Sequence, residues 1–308
     1  LKMQLCDWAY FNLIDTLAKA FCGHGNEAVI MAACIYSQSG YKMRLGRDCE
    51  KLDLLYGEKH GIYEKGYIVI EGINYYPLDD KVERMEISDF SFPQEQSMSL
   101  YIENAQKFTI RPSAIRKLAS EQYHDVAIDS QVNLNLIQFY NTYPSSEVNG
   151  NFMTCWKMYA DTPMDESVSQ MLYPDIKNKI EGLSDVQAVN QILNWVQTAF
   201  QYEYDDKVWG HDRAFFAEET LYYPYCDCED RAILFTRLVR DLLGLKCILV
   251  YYPGHLASAV CLKQQVNGDY ISLDGDVYTI CDPTYIGAPV GITMPEMDNR
   301  SAKVIKLL

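Results

Sequence analysis

The run Tyr225-Cys226-Asp227-Cys228-Glu229-Asp230-Arg231-Ala232 decides the fold, together with Ile233, Leu234, Phe235, Leu238, Val239 and Leu242 and the closing Gly244. Apolar residues recurring three and four apart mark one buried face of a helix. Cys228 opens that helix. A thiol at a helix start lies near free backbone N–H groups and the positive end of the macrodipole, which favours thiolate. Position therefore makes Cys228 the best nucleophile candidate among the ten cysteines.

Downstream, Leu245 to Tyr252 is rich in Ile, Leu, Val and Tyr, turns at Pro253-Gly254 and resumes as Leu256 to Leu262, which reads as strand, turn, strand. His255 begins the second strand, where an imidazole can face the helix start and take the thiol proton. Tyr270 to Leu273 reads as a third strand and Val277 to Cys281 as a fourth, with Asp282 at its end. A carboxylate there can hold the second ring nitrogen of His255, as in a catalytic triad.

On these three segments the chain resembles the transglutaminase-like superfamily of papain-like thiol enzymes. The resemblance rests on Cys226-Asp227-Cys228-Glu229-Asp230-Arg231-Ala232, Pro253-Gly254-His255-Leu256-Ala257 and Cys281-Asp282-Pro283-Thr284, and spans roughly Leu183 to Tyr285. Cys226 replaces the glycine usual in the first motif. The resemblance implies an α+β, papain-like core with the cysteine helix packed on an antiparallel sheet. It also implies a Cys228-His255-Asp282 triad acting on a protein or peptide amide through a thioester. Resolution of the acyl-enzyme by water makes a peptidase or amidase, and by an amine a transglutaminase; the triad is common to both. Hydrolysis is preferred, since the likeness is to the broad prokaryotic branch and no EF-hand loop is present. A third reading is a binding or scaffolding protein with the same fold and an idle site. Bacterial extracytoplasmic members, with a first residue Leu1 rather than methionine, suggest a trimmed signal segment and a periplasmic or cell-surface location.

Taken singly, each residue has an ordinary alternative: a buried apolar cysteine, a satisfied histidine, an aspartate that starts a turn. Their order and spacing give them weight. Cys226 and Cys228 are separated by one residue rather than the two of zinc sites, so no metal or cofactor is expected. Upstream, Leu183 to Phe200 places Val186, Val189, Ile192, Leu193, Val196 and Phe200 on one helix face, with Ser184 or Asp185 as cap. The aromatic-rich loop between Tyr202 and Tyr225 reads as a cleft wall, with Trp209 and Tyr223 as candidate cleft or oxyanion contributors. The backbone N–H of Cys228 is the better oxyanion donor.

An internal repeat extends the fold to the first eighty residues. Setting Ala28 against Ala232 aligns Cys22 with Cys226, Gly40 with Gly244, Lys42 with Lys246 and Leu45 with Leu249. After one inserted residue, Tyr67, Ile68, Gly72, Tyr75 and Asp79 meet Tyr270, Ile271, Gly275, Tyr278 and Asp282. In this alignment His24 stands opposite Cys228, and Lys51 or Leu52 opposite His255, so the copy lacks a nucleophile with a base. The expected organisation is a degenerate domain over 1–85, a connector with β structure over 86–173 and a catalytic domain over 174–308. In the connector, Arg111 to Gln122 reads as a short helix and Val126 to Phe139 as strand. A chain of 308 residues with 48% hydrophobic and 13% aromatic residues has ample material for two cores. The net charge of −15 argues against nucleic acid, and no apolar run is long enough to span a membrane.

Overall fold

The computed structural model describes residues 4–78, 85–264 and 266–308. The chain divides into two compact units, one of residues 1–106 and 143–152, the other of residues 107–142 and 153–308. The class is mixed α+β, and each unit is built on a five-stranded sheet.

The first unit begins with α1 (Asp7–Cys22) and α2 (Asn26–Gln38), followed by β1 (Met43–Asp48), β2 (Lys51–Glu58), β3 (Gly61–Ile62), β4 (Ile68–Ile70), β5 (Ile73–Pro77) and β6 (Glu86–Ile87). Its sheet has the order β4-β5-β2-β1-β6, antiparallel throughout. Trp8 and Phe11 of α1 bring their rings against Tyr56 of β2, and Phe11 also meets Tyr36 of α2. Aromatic contacts of this kind combine large burial with edge-on electrostatics.

The second unit opens with the hairpin β7 (Arg116–Ala119) and β8 (Ala127–Ser130), then α3 (Leu134–Tyr140). The chain next contributes β9 (Ser146–Glu147), paired with β3, to the first unit. It continues in the second with α4 (Met153–Asp161), α5 (Glu166–Ile180), α6 (Asp185–Thr198), β10 (Gln201–Tyr202), α7 (Asp205–Val208), α8 (Ala217–Tyr222), β11 (Tyr225–Cys226) and α9 (Cys228–Leu243). Five strands end it: β12 (Cys247–Tyr252), β13 (His255–Val260), β14 (Tyr270–Leu273), β15 (Asp276–Cys281) and β16 (Lys303–Lys306). These form the antiparallel sheet β14-β15-β13-β12-β16.

The two large sheets therefore share one strand order, and the register matches too. Asp48 pairs with Lys51 across the first hairpin as Tyr252 pairs with His255 across the second, and Met43 with Tyr56 as Cys247 with Val260. Ile68 pairs with Tyr75 as Ile271 with Tyr278.

Helix α6 carries a capping box: Ser184 accepts the N–H of Gln187, whose side chain returns to the N–H of Ser184 at 3.0 Å. Helix α9 ends at Gly244 in the left-handed region, φ 64°, where a side chain would be strained. Trp195, Ile192 and Val196 of α6 share the core with Leu234, Phe235 and Leu238 of α9.

Elsewhere the structure departs from the sequence reading. Arg111 to Gln122 is not a helix: residues 116–119 pair with β8, and only Leu118 of the four is buried, an alternation that suits a strand. Of Val126 to Phe139, only 127–130 is a regular strand, while α3 starts where the Asn133 side chain accepts the N–H of Asn135 at 3.1 Å. The stretch 86–173 does not stand apart, since its residues are shared between the two units, and the break between 173 and 174 falls inside α5. Pro174 sits within that helix because a buried stripe of Val168, Leu172, Ile176 and Ile180 continues on both sides of it. Among the described residues no helix is long and apolar enough to cross a membrane.

Candidate active site

Three elements of the second unit bring the site together. Cys228 is the first residue of α9, held there because the Asp230 carboxylate turns back to accept the N–H of Asp227 at 3.1 Å. His255 is the first residue of β13, after a turn whose Gly254 has φ 79° and so favours glycine. Asp282 follows the last residue of β15, the strand paired with β13 through Ser258 and Cys281.

The His255–Asp282 pair is formed and buried. His255 Nε2 lies 2.8 Å from Asp282 Oδ2, with side chains only 7% and 2% exposed. The other oxygen, Oδ1, accepts the N–H groups of Thr284 and Tyr285 at 2.9 and 3.2 Å. A carboxylate engaged through both oxygens is held in one orientation. It fixes the proton of neutral His255 on Nε2, which leaves Nδ1 as the basic nitrogen. The ring of Tyr252 lies nearly parallel to the imidazole, with centroids 6.2 Å apart.

Gln197 of α6 secures the loop beyond Asp282, donating to the carbonyls of Asp282, Tyr285 and Ala288 and accepting from Gly287. Arg231, 1% exposed, donates to the carbonyls of Gln197 and Phe200 and so ties α9 to the end of α6. Neither role is visible in the sequence. Gln197 is a polar residue beside the apolar stripe of α6, and Arg231 lies inside the motif without a stated partner.

Cys228 is half-buried, its thiol donates to Glu229 Oε2 at 3.1 Å, and its sulfur also faces the backbone N–H of Leu256, the residue after His255. Burial pushes the thiol well above its usual range, the carboxylates of Glu229 and Asp227 push it further, and the Leu256 N–H only partly opposes them. The thiolate expected from the helix start is thus outweighed: the resting group is a neutral thiol. Cys226 is buried, pushed up to about 12 mainly by desolvation, and receives the Arg231 Nε hydrogen bond at 3.5 Å. All ten cysteines are free thiols.

Trp209 and Tyr223 pack edge to face at 4.8 Å, with the Arg213 guanidinium over both rings. Arg213 is paired with Glu219 at 2.5 Å and, like the Tyr223 hydroxyl, donates to Asn141. These two aromatics are thus part of an Arg213-centred cluster. The tyrosine that senses the thiol is Tyr202 of β10, whose phenol is pushed up first by burial and then by Cys228. No signal set it apart from the other tyrosines nearby.

Carboxylates crowd the other side of Cys228. Asp205, Asp227, Glu229 and Asp230 are buried, and Asp212 is exposed beside them. Burial raises Asp205 to about 6, opposed by the Arg213 N–H, and burial and mutual repulsion raise Asp227 and Asp230 strongly. Comparison with models of protein families, with curated proteins and with solved structures found no match to this chain.

Proposed function

We propose that the second unit is a transglutaminase-like, papain-like thiol enzyme that cleaves an amide through a thioester, and that the first unit is a copy of the same fold without the chemistry. The reading rests on one observation above the rest. A buried imidazole, oriented by a carboxylate at 2.8 Å, begins the strand whose next N–H faces the sulfur of a helix-start cysteine.

Because the resting thiol is neutral, attack and proton transfer go together. The Cys228 sulfur bonds to the amide carbonyl carbon while His255 Nδ1 takes the thiol proton, and Asp282 stabilises the imidazolium. The carbonyl oxygen takes up negative charge, for which the Cys228 N–H at the helix start is the nearest preorganised donor. The C–N bond then breaks, and the imidazolium proton leaves with the amine. Water, deprotonated by the same imidazole, hydrolyses the thioester. An amine in place of water gives transamidation, the second outcome of this chemistry.

The test is iodoacetamide alkylation across pH 5 to 9, read at each cysteine by mass spectrometry, on wild type and His255→Ala. General-base assistance predicts that Cys228 alkylation at pH 7 falls about a hundredfold without the imidazole. A rate indifferent to His255 would leave the fold a scaffold. Casein incubated with a dansylated amine then separates the two outcomes: new peptide termini or glutamine converted to glutamate mark hydrolysis, and fluorescent casein marks transamidation, while ammonia is released from glutamine in both.

A further inference from the structure

The stretch between matching strands is nine residues long in both units, 59–67 between β2 and β4 and 261–269 between β13 and β14. Among the described residues only the first of these contains a strand. There β3 pairs antiparallel with β9, Gly61 opposite Glu147 and Ile62 opposite Ser146, and the N–H of Tyr63 reaches the carbonyl of Ser145 at 3.0 Å. Beyond β9 the chain reverses at Asn149-Gly150, where φ values of 55° and 70° make a tight hairpin turn, closed by the Asn151 N–H on the Val148 carbonyl at 3.1 Å.

Between this ribbon and the β4-β5 edge of the sheet lies a cleft of about 340 Å³, a volume that suits a small ligand. Its lining is aromatic and polar, with Ile62, which is buried, as the aliphatic side chain among the described residues. Tyr63 and Tyr67 are 42% and 51% exposed, yet each is held. The Tyr63 hydroxyl donates to Glu147 Oε2, and the Tyr67 ring leans on buried Tyr76 with centroids 5.5 Å apart. Tyr76 is fixed in turn: its hydroxyl accepts the Ile62 N–H at 3.0 Å and Asn74 Nδ2 at 3.3 Å, and donates to the His60 carbonyl. A tyrosine ring held in this way offers an amphipathic face at small entropic cost.

The same bonds leave polar atoms over. Glu147 Oε1 and Asn74 Oδ1 have no protein partner among the described residues, and both side chains line the cleft. Lys59 lines it as well and balances the Glu147 carboxylate, so the cleft carries no excess charge.

We propose that this cleft binds a neutral saccharide, with the Tyr67 ring against the C–H face of a sugar ring and Glu147, Asn74 and Lys59 on its hydroxyls. Balanced charge gives no field to draw in a phosphate or an acidic polymer. A peptide gains most from an anchor side chain in a deep apolar pocket, which this lining does not offer. A sugar hydroxyl both donates and accepts, so it pairs with carboxylate and amide oxygens as readily as with an ammonium group. The copy without the triad thus carries a ligand site of its own.

The experiment is calorimetric titration of the full-length protein with cellotriose, maltotriose and tri-N-acetylchitotriose, with tetraalanine and inorganic phosphate as the peptide and anion probes. Saturation-transfer NMR, irradiating the aromatic protons, reads which sugar protons lie against a ring. Wild type, Tyr67→Ala, Glu147→Gln and the remote control Tyr270→Ala, at a tyrosine of the second unit that is 57% exposed, are compared, each checked for native circular dichroism. Glu147→Gln keeps an acceptor for Tyr63 and covers the case where Tyr67→Ala disturbs Tyr76.

The expected result is one saccharide per chain with saturation transferred to its ring C–H protons. Affinity should fall about tenfold in Tyr67→Ala, through the lost ring contact, and about fivefold in Glu147→Gln, through the lost charge-assisted hydrogen bond, and stay unchanged in Tyr270→Ala. No heat from any of the three saccharides up to about 10 mM overturns the proposal. Binding that neither Tyr67→Ala nor Glu147→Gln weakens, or tetraalanine or phosphate bound more tightly than every saccharide, overturns it as well. The readout is binding in the first unit, so its failure leaves the acyl-transfer reading of Cys228 standing, and the failure of that reading leaves this one.

Discussion

The hairpin of Met43 to Glu58 and the hairpin of Cys247 to Val260 pair in the same register, yet only the second carries a histidine of the proposed triad. Where β13 begins with His255, β2 begins with Lys51. The helix starts are equally instructive. Asn26 is the first residue of α2, as Cys228 is of α9. The Asn26 side chain accepts the N–H of Leu52 at 2.9 Å and donates to the carbonyl of Glu50 at 2.6 Å. In the second unit the matching N–H, that of Leu256, faces the Cys228 sulfur. The residue in the place of Cys228 is therefore Asn26, two positions from the His24 that the sequence alignment offered, because α9 has 16 residues against 13 in α2 while its loop to the next strand is one residue shorter. A link from helix start to hairpin turn belongs to the scaffold, and the proposed nucleophile occupies a position that elsewhere serves only to hold the turn. Asp79, aligned with Asp282, lies outside the described residues.

The largest expected effect tests whether chemistry is confined to the second unit. Cys228→Ala should abolish acyl transfer, and Asp282→Asn should lower kcat/KM by roughly 10³–10⁴-fold, because the imidazole loses the acceptor that fixes its tautomer. Lys51→Ala should leave the rate unchanged. Casein turnover on the three variants checks this; a Lys51 effect as large as the Asp282 effect would break the division between the halves.

Stability comes next. Arg231 has no arginine counterpart in α2 and holds the end of α6 through two buried carbonyls. Arg231→Met should destabilise the second unit by roughly 3 kcal/mol, since both acceptors lose charged donors, measured by urea unfolding. A change below 1 kcal/mol would mean that solvent or other groups satisfy those carbonyls.

A pH effect belongs to the first unit. Glu58 is buried and raised to about 8 by desolvation, opposed by the N–H groups of His60 and Lys59, while desolvation lowers His60 to about 4. Glu58 binds its proton more tightly in the native state, so its contribution is full below the ordinary carboxylate range and is lost as pH rises toward 8. His60 binds its proton less tightly in the native state, so its stability is lost as pH falls from 6.5 toward 4. The two oppose each other below 6.5, and above it Glu58 acts alone. Between pH 6.5 and 8 the first unit should lose at most about 2 kcal/mol, at 1.36 kcal/mol per pH unit. Protection factors of β2 amides should show this decline, and Glu58→Gln should flatten it.

Much of the second unit was legible because its signals are local. The apolar period of α9, the Pro253-Gly254 turn and the capping box at Ser184 each lie within a few residues, and the strands at 270–273 and near 276–281 follow from turn residues and β-branched content. What depends on distant partners was not. Leu118 reads as a helix residue until β8 is beside it, and Pro174 reads as a break until the buried stripe is seen to continue past it. The thiol differs from the expectation for a related reason: helix position and the flanking Asp227 and Glu229 are visible in sequence, whereas the burial that raises the thiol most is not.

The smallest expected effect is also the sharpest test of the comparison, because it exchanges the two helix-start residues. Asn26→Cys removes a turn clamp made by two hydrogen bonds at a partly exposed site and should cost the first unit about 1 kcal/mol. Cys228→Asn places an amide oxygen where the Leu256 N–H already points, so it should leave the second unit as stable as wild type, or up to about 1 kcal/mol more stable, while ending catalysis. Functional sites often hold groups that are suboptimal for stability, and a stabilising, inactivating exchange would be an instance. If Cys228→Asn instead destabilises by more than Asn26→Cys, the sulfur is part of the second unit's packing, and the equivalence of the two helix starts is positional only.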